Sequence, residues 1–307
     1  MHPGRDTHQA AFTTHRAGKP SWLRRRLPPA GRAPVVRAAL GGLPTVCQEA
    51  ACPNRAECYG RGTATFLLLG PDCTRACSFC AVRHRSPRPP HPAEPRRVAR
   101  AVERLGLAFC VLTMVSRDDL PDGGAEQVAA AVAEIRRRRP GVGVEVLVSD
   151  LGGDPRALET VLAARPEVLA HNLETVPRLY PAVRPQADYR RSLDLLARAA
   201  AHPARPVVKS GLMLGLGEEQ HEVLAVLDDL RAAGCIALTL GQYLAPSPRH
   251  HPVVRYLCPE EFAELEDEAR ARGFRAVASA PYVRSSFRAG RLYRQARAGD
   301  TGHAARP

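Results

Sequence analysis

Six of the nine cysteines in this 307-residue chain lie within one short stretch, residues 47–80. They form two triplets of different spacing, Cys47-x4-Cys52-x5-Cys58 (the first triplet) and Cys73-x3-Cys77-x2-Cys80 (the second triplet). Thiolates this close in sequence can converge on one iron–sulfur cluster, which usually takes four cysteines. A set of three leaves one iron free for a different ligand or for a substrate, so the spacing indicates reactive iron.

Disulfides or structural zinc could also account for these triplets. Disulfides belong to oxidising compartments, and the sequence shows no secretory signal with an apolar core. Structural zinc takes four closed ligands, and His84 or His91 could complete such a set, so zinc stays open. We expect Cys110, Cys235 and Cys258 to be ordinary buried thiols.

Composition limits the class of protein and its partners. Hydrophobic residues make up 45% of the chain, enough for a globular core, and no stretch is apolar over the length of a membrane span. Lys and Arg (44) outnumber Asp and Glu (31), and the net charge of +13 predicts an acidic partner. Aromatic residues are only 5%, without the basic–aromatic alternation that stacks bases. We therefore expect a cytoplasmic protein that binds neither nucleic acid nor membrane.

Strand-like and helix-like segments alternate from residue 64 onward. Apolar runs predict buried parallel strands at 64–70, 108–114, 142–148, 167–173, 206–214 and 235–244. Helical patterns fall near 94–105, 124–139, 154–164, 189–201, 218–233 and 259–272, and a short apolar run follows at 274–280. This alternation predicts an α/β fold, a partial parallel (β/α)6 TIM-type barrel, with a doubly wound sheet as the alternative.

Polar residues mark the ends of several predicted strands. Chemistry in parallel barrels gathers at the C-terminal ends of the strands, and the second triplet begins three residues after the first strand. Polar groups at or near the other strands are Arg117, Asp118, Asp119, Asn172, Glu174, Lys209, Ser210, Gln242 and Tyr243. Singly, each is explained as a satisfied barrel-lining group. Together, at one rim, they predict a binding surface.

Longer motifs resemble one enzyme family. The CxxxCxxC spacing followed by βα units is similar to the radical S-adenosylmethionine (SAM) superfamily. The family resemblance rests on CxxxxCPNxxxCY, TATFLLLG, RDDLPDGGA, HNLETVPRLY, VRPQADY, KSGLMLGLGE, LTLGQYLAPS and VRSSF. Together these motifs resemble the lipoyl synthase family, from about Pro20 to Arg288, which is nearly the whole body of the chain.

The resemblance implies two [4Fe–4S] clusters. The second triplet would hold the cluster that cleaves SAM, with its fourth iron chelated by the amino and carboxylate groups of SAM. The first triplet would hold an auxiliary cluster that is consumed as the sulfur donor. The fourth auxiliary ligand would be a serine of the C-terminal motif; we expect Ser286, with Ser285 as the alternative. Asn172, Glu174 and Arg184 would help to hold SAM.

The implied reaction inserts two sulfur atoms, at C6 and C8 of an octanoyl chain on a lysine of a lipoyl-carrier domain. It needs a reducing electron-transfer protein. The alternatives are another two-cluster radical SAM enzyme that inserts sulfur or methylthiolates, and a zinc-stabilised nucleic-acid-binding module. The sequence departs from the usual family residues at Ala81, Met114, Ser116 and Phe287, which leaves a divergent paralogue open.

The expected organisation has five parts. Residues 1–17 and 297–307 are expected to be disordered. The N-terminal extension, 18–62, carries the first triplet, and the radical SAM barrel spans 63–281. The C-terminal segment, 282–296, supplies the serine ligand.

Overall fold

The structure is a computed structural model that describes residues 18–26 and 28–298. The predicted disordered N-terminus, 1–17, lies outside the described residues. So does the predicted tail from residue 299 onward, whereas Arg297 and Ala298 end the last helix.

Helices and strands alternate through most of the described chain. The strands are β1 (Thr65–Leu68), β2 (Asp72–Cys73), β3 (Arg83–His84), β4 (Phe109–Met114), β5 (Gly143–Leu147), β6 (Val168–Ala170), β7 (Val207–Leu214), β8 (Ala237–Gln242) and β9 (Ala276–Ser279). The helices are α1 (Ala33–Leu40), α2 (Val46–Glu49), α3 (Arg55–Gly60), α4 (Glu94–Leu105), α5 (Ala125–Arg138), α6 (Pro155–Ala163), α7 (Tyr180–Val183), α8 (Tyr189–Ala201), α9 (Gln220–Ala232), α10 (Pro259–Ala271) and α11 (Ala289–Ala298).

Seven parallel strands form one sheet in the order β1-β4-β5-β6-β7-β8-β9. The strands follow one another in chain order, whereas a doubly wound sheet reverses its order at a switch point. The doubly wound alternative is therefore wrong, and the partial parallel barrel is confirmed. The short apolar run predicted at 274–280 contains a seventh strand, β9, which pairs with β8.

The sequence explains why these elements form. Strands β1 and β8 are buried along their whole length, as expected for strands that helices cover on one face and a barrel interior on the other. Helix α4 has a proline in its first turn and is capped after Leu105 by Gly106, whose φ of 64° is the left-handed value that favours glycine. No helix in the described part of the chain is long and apolar enough to cross a membrane.

Strand β6 is shorter than predicted, and this positions two polar residues. The predicted segment 167–173 stays in the sheet only at Val168–Ala170. The chain then leaves the regular ladder, although Glu174, with a φ of 65°, still forms an isolated bridge with Leu212 of β7. Asn172 and Glu174 therefore lie beyond the C-terminal end of the strand, on the face where barrel chemistry takes place.

The C-terminal helix closes the opposite end of the barrel. Leu292 and Ala296 of α11 belong to a small apolar cluster with Val168, Val207 and Ala237, at the starts of their strands. The ring of Tyr293 stacks on that of Phe109, with the centroids 5.5 Å apart. This helix was not predicted; the sequence indicated the segment 282–296 only as the source of a serine ligand.

Candidate functional site

A cavity of about 330 Å³ opens at the C-terminal ends of the strands, and both cysteine triplets line it. Strand-end residues from four parts of the sheet surround it: Met114, Val148, Asn172 and Leu244. The C-terminal residues Arg284, Ser285 and Ser286 line it as well. The structure thus brings residues separated by more than 200 positions in the sequence to one site.

The second triplet lies on a loop that is held firmly by the barrel. Cys73 ends β2, and the next residues bond to neighbouring strand ends. Arg75 donates to both oxygens of Asp118, at 2.8 and 2.6 Å, and to both oxygens of buried Asp150, at 2.9 and 2.7 Å. The Thr74 hydroxyl donates to the carbonyl of Ser116 at 3.0 Å. These bonds fix the start of the loop against the ends of β4 and β5.

The first triplet lies outside the barrel sheet, on the N-terminal extension. Cys47 is in α2, Cys58 is in α3, and Cys52 lies between the two helices. Asn54 donates from Nδ2 to the carbonyl of Tyr282 at 2.6 Å. Arg25 donates from Nη1 to Oδ1 of Asn54 at 3.2 Å. The segment that carries the first triplet therefore contacts residues near both ends of the described chain.

The thiols of both triplets are suited to metal rather than to free thiolate chemistry. Burial raises the pKa of Cys47 to about 11, and that of Cys58 and Cys80 to about 12. Burial also raises the pKa of Cys77. Thiols in each triplet are close enough to raise one another's pKa. Bound iron supplies the positive charge that such grouped, desolvated thiols lack and holds them deprotonated. Each triplet therefore fits a three-thiolate cluster.

Zinc coordination gains no support from the histidines. His84 is exposed on β3, and Nδ1 of His91 accepts a hydrogen bond from the backbone of Ala93 at 3.1 Å. In residues 18–26 and 28–298, no three His, Cys, Asp or Glu side chains are grouped as ligands of a single metal ion. The three thiols of a four-iron cluster bind different irons, so they need not meet at one point.

The two candidate serines have different surroundings. The Ser285 hydroxyl donates to Oδ1 of Asn172 at 3.2 Å, and the Ser285 carbonyl accepts from Nζ of Lys209 at 3.0 Å. Ser286 lines the cavity, and its hydroxyl has no hydrogen-bond partner within the described chain. An uncommitted hydroxyl fits the ligand role better than one already bonded, so the geometry favours Ser286 over Ser285.

The residues predicted to hold SAM meet in the same cavity. Asn172 donates from Nδ2 to Oε1 of Glu174 at 3.0 Å. Arg184 donates from Nη1 to the carbonyls of Asn172 and Leu173, both at 2.9 Å, while its buried Nε has no partner within the described residues. Burial raises the pKa of Glu174. A ligand with an ammonium and a carboxylate would supply partners to both side chains.

Several predicted rim residues are structural instead. Arg117 pairs with Asp119 at 2.7 Å, and neither lines the cavity. The amide nitrogen of Gln242 donates to the carbonyls of Leu214 and Arg255. The sequence could not foretell these directions, because a strand-end side chain can face either the cavity or the neighbouring loops.

Four further residues form hydrogen bonds or an ion pair inside the barrel. The Tyr243 hydroxyl donates to the carbonyl of His251, although the residue also borders the cavity. The Ser210 hydroxyl accepts from the backbone of Leu173. Lys209 pairs with Glu145, and both are buried. Lys209 therefore serves the site indirectly, through its bond to the C-terminal segment.

Arg75 and Arg284 are site residues that the sequence did not single out. Burial lowers the pKa of Arg284, while Cys52 and Glu174 act in the opposite direction. Its guanidinium therefore lies near the first triplet and near the predicted SAM residues. The sequence predicts ligands in the motif around Arg284 only at its serines, although an arginine beside candidate ligands is itself a sign of charge compensation.

The four departures from the usual family residues all lie at this site. Ala81, Met114, Ser116 and Phe287 line the cavity. None of them belongs to a cysteine triplet. They change the lining of the cavity and leave the candidate cluster ligands in place.

Two solved structures have a fold similar to that of this chain. The structure resembles HydG, a maturase of the [FeFe]-hydrogenase, with a TM-score of 0.55 at 17% identity, covering 79% of this chain and 54% of that one. It also resembles methylornithine synthase (PylB), with a TM-score of 0.53 at 14% identity, covering 80% of this chain and 69% of that one. Likeness at such low identity concerns the fold alone.

Sequence relatives give a closer assignment. Residues 67–230 match the model of the radical SAM superfamily. The chain is 60% identical to the lipoyl synthase of Trichlorobacter lovleyi over 275 residues, covering 88% of this chain and 97% of the relative. It is 52% identical to the lipoyl synthase of Desulfotalea psychrophila, covering 92% and 95%. With this identity over almost the whole length, the chain belongs to the lipoyl synthase family of radical SAM enzymes.

Proposed function

We propose that this chain inserts sulfur at C6 and C8 of an octanoyl group held on a lysine of a lipoyl-carrier domain, which gives lipoyl-lysine. The observation that carries the proposal is the arrangement of both triplets around one cavity. A sulfur donor must lie next to the carbon that it attacks. Two three-cysteine sites facing a shared space meet that requirement, and family membership at 52–60% identity supports it.

The second triplet is proposed to hold the SAM-cleaving cluster. When bound, that cluster and SAM supply a 5′-deoxyadenosyl radical, which can remove hydrogen from unactivated carbons where side-chain acid–base chemistry cannot. The chain's own part is to bind and to orient. Glu174 would accept hydrogen bonds from the SAM ammonium, and the free Nε of Arg184 would face the SAM carboxylate. Asn172 holds Glu174 in place.

The first triplet, with Ser286, is proposed to hold the auxiliary cluster that gives up its sulfur. A serine oxygen is a harder ligand than a thiolate and therefore a weaker one for iron in a sulfur-rich site. Arg284 would offset the negative charge of this cluster. Apolar groups in the lining, among them Leu67, Phe79 and Val115, exclude water from the reacting carbons.

The proposed domains follow from these roles. Residues 18–62 form the extension with the first triplet, 63–281 form the barrel, and 282–296 carry the serine. Helix α11 extends this last part to Ala298. The proposed partners are an octanoylated carrier domain and a reducing electron-transfer protein, in the cytoplasm.

The test is an anaerobic assay after reconstitution with iron and sulfide. The purified chain should bind about eight irons, two clusters' worth. Incubation with SAM, a reductant and an octanoyl-lysine peptide should give a product with two added sulfur atoms, seen by mass spectrometry. If SAM is cleaved but the octanoyl peptide gains no sulfur, the activity belongs to a different substrate. That outcome would favour the alternative, another sulfur-inserting or methylthiolating enzyme, and would point to the four changed lining residues.

A further inference from the structure

Two segments that border the cavity carry no acidic residue. They are residues 81–93 and 243–258, in a chain with 31 acidic residues overall. Ala81 and Val82 of the one, and Leu244 and Pro246 of the other, line the cavity. Each segment runs from these lining residues to exposed arginines and so reaches the surface at the mouth of the cavity. Neither contains a carboxylate of its own.

The first of these segments is joined to the second triplet. Strand β3 pairs in parallel with β2, so that His84 lies opposite Cys73. The second segment contacts the same loop, because the backbone of His251 donates to the carbonyl of Ser78 at 2.8 Å. The two basic segments thus flank the loop between the cysteines.

The arginines of the first segment outnumber the carboxylates that they meet. Arg83 and Arg85 both form ion pairs with Oδ1 of Asp72, at 3.0 and 2.8 Å, and each side chain remains more than half exposed. The hydrogen bond from Arg85 and the charges of Arg83 and Arg88 hold the pKa of Asp72 below its usual range. One carboxylate therefore serves three guanidiniums, and the local charge stays positive.

Arg249 adds a further cation on the other segment. It is exposed, and its guanidinium has no ion-pair partner within residues 18–26 and 28–298. We name Arg83, Arg85, Arg88 and Arg249 the arginine rim. These exposed cations stabilise the fold little, because exposed ion pairs contribute at most about 1 kcal/mol. Their position at the mouth points to a partner that is met there.

We propose that the arginine rim docks the acidic surface of the carrier domain that presents the acyl-lysine. This inference rests on the proposed function. A cavity of about 330 Å³ admits an acyl chain but not a protein domain, so the carrier must remain outside and touch the mouth. Opposite charges across such a contact raise the association rate and fix the orientation more than they raise the affinity.

The test compares two sets of three substitutions. The rim variant is Arg83→Gln/Arg85→Gln/Arg88→Gln. The matched control is Arg104→Gln/Arg137→Gln/Arg138→Gln, which removes the same charge from the C-terminal ends of α4 and α5, at the other end of the barrel. Each is assayed with an octanoylated carrier domain of net negative charge and with a short octanoyl-lysine peptide of no net charge.

The rim variant should raise the KM for the carrier domain by roughly tenfold, leaving kcat and the KM for the peptide unchanged. Added salt should weaken carrier binding to the wild type and to the control, and much less to the rim variant, because salt screens exposed charges beyond about 10 Å. SAM cleavage without carrier should be the same in all three proteins, since the second triplet is intact.

Three results would overturn the proposal. The first is an unchanged KM for the carrier in the rim variant, and the second is an equal rise in the control variant, which would mean that net charge alone matters. The third is an affinity of the wild type for RNA that the rim variant loses while its KM for the carrier stays the same. This result would assign the arginine rim to nucleic-acid binding. The peptide assay keeps the two proposals apart. A wild type that inserts no sulfur into either substrate contradicts the proposed function, whereas an unchanged KM of the rim variant for the carrier contradicts only the role of the arginine rim.

Discussion

The two cysteine triplets share one cavity but are held by different parts of the molecule. The second triplet is bound to the barrel itself, through Arg75 and the buried carboxylate of Asp150. The first triplet has no strand of the seven-stranded sheet in it. It is held by contacts with residues near both ends of the described chain, such as Arg25 and Tyr282, and Cys47 also packs in the core beside β1. One site is therefore bonded to strand ends of the sheet, whereas the other lies on the N-terminal extension and depends in part on contacts between the chain ends.

This difference matches the chemistry proposed for the two sites. A cluster that only transfers electrons to SAM must persist through every turnover, and the barrel gives it a fixed frame. A cluster that donates its sulfur must be rebuilt, and a frame made of chain ends can open without unfolding the barrel. Contacts between chain ends are expected to open more readily than the pairings between strands of the sheet.

Replacing the second triplet should have the largest effect. The variant Cys73→Ala/Cys77→Ala/Cys80→Ala should lose about half of about eight irons and all SAM cleavage, because no site for SAM remains. Iron analysis and the formation of 5′-deoxyadenosine measure these two losses. Cleavage that persists in this variant would contradict the assignment of the second triplet.

Replacing the first triplet should separate the two halves of the reaction. The variant Cys47→Ala/Cys52→Ala/Cys58→Ala should lose the same amount of iron but still form 5′-deoxyadenosine. The octanoyl peptide should gain no sulfur, since the proposed donor is gone. Detection of lipoyl product by mass spectrometry would show that the sulfur comes from elsewhere.

The sequence predicted the barrel well because its strands are apolar on both faces. Each predicted run from 64–70 to 235–244 contains an observed strand. Helices α1 and α11 were missed for a physical reason. Both are short, with eight and ten residues, and they are stabilised by packing on distant parts of the chain.

The sequence predicted those site residues whose role depends on their spacing along the chain. The cysteine triplets needed only local sequence, and the resemblance supplied Asn172, Glu174 and Arg184, which the structure brings to one cavity. Arg75 escaped prediction because its two carboxylate partners are 43 and 75 positions away. Contacts between residues so far apart in the sequence form only in the folded chain, and they cannot be predicted from the local pattern of a single sequence.

Ser286→Ala tests how the chain ends hold the first triplet. Loss of the hydroxyl should make the auxiliary cluster lose iron at least about tenfold faster and should impair sulfur insertion, while SAM cleavage continues. Mössbauer spectra should show loss of one distinct iron site. Ser285→Ala is the control and should be milder, since that hydroxyl is bonded to Asn172. If Ser285→Ala is the damaging change, the ligand is the other serine; if neither matters, the segment does not bind iron.

Glu174→Gln tests the barrel side of the comparison. The change removes one charged acceptor from the proposed SAM ammonium site, and a hydrogen bond to a charged group contributes about 1.5–3 kcal/mol. SAM should bind roughly tenfold to a hundredfold more weakly, with the iron content unchanged, as equilibrium binding to the reconstituted protein would measure. An unchanged affinity for SAM would mean that Glu174 belongs to a structural hydrogen-bond network at the strand ends and does not bind SAM.

Tyr282→Phe should have the smallest effect, and it addresses the contact between the chain ends most directly. The Tyr282 hydroxyl donates to the carbonyl of Leu23 at 2.6 Å, and the Arg25 guanidinium lies 4.0 Å from the centre of its ring. Phenylalanine keeps the ring contact and loses only the hydrogen bond, which contributes about 1 kcal/mol.

If the N-terminal residues brace the first triplet, this loss should speed the release of auxiliary iron by about fivefold, without a change in SAM cleavage. Tyr243→Phe is the matched control, because its hydroxyl makes an equivalent bond to the carbonyl of His251 on the barrel side, at 2.7 Å. Iron release measured with a chelator should respond to Tyr282→Phe and not to Tyr243→Phe. Equal rates of iron release in the two variants would mean that contacts on the barrel side and contacts between the chain ends support the first triplet equally. That result would contradict the proposed difference between the two triplets.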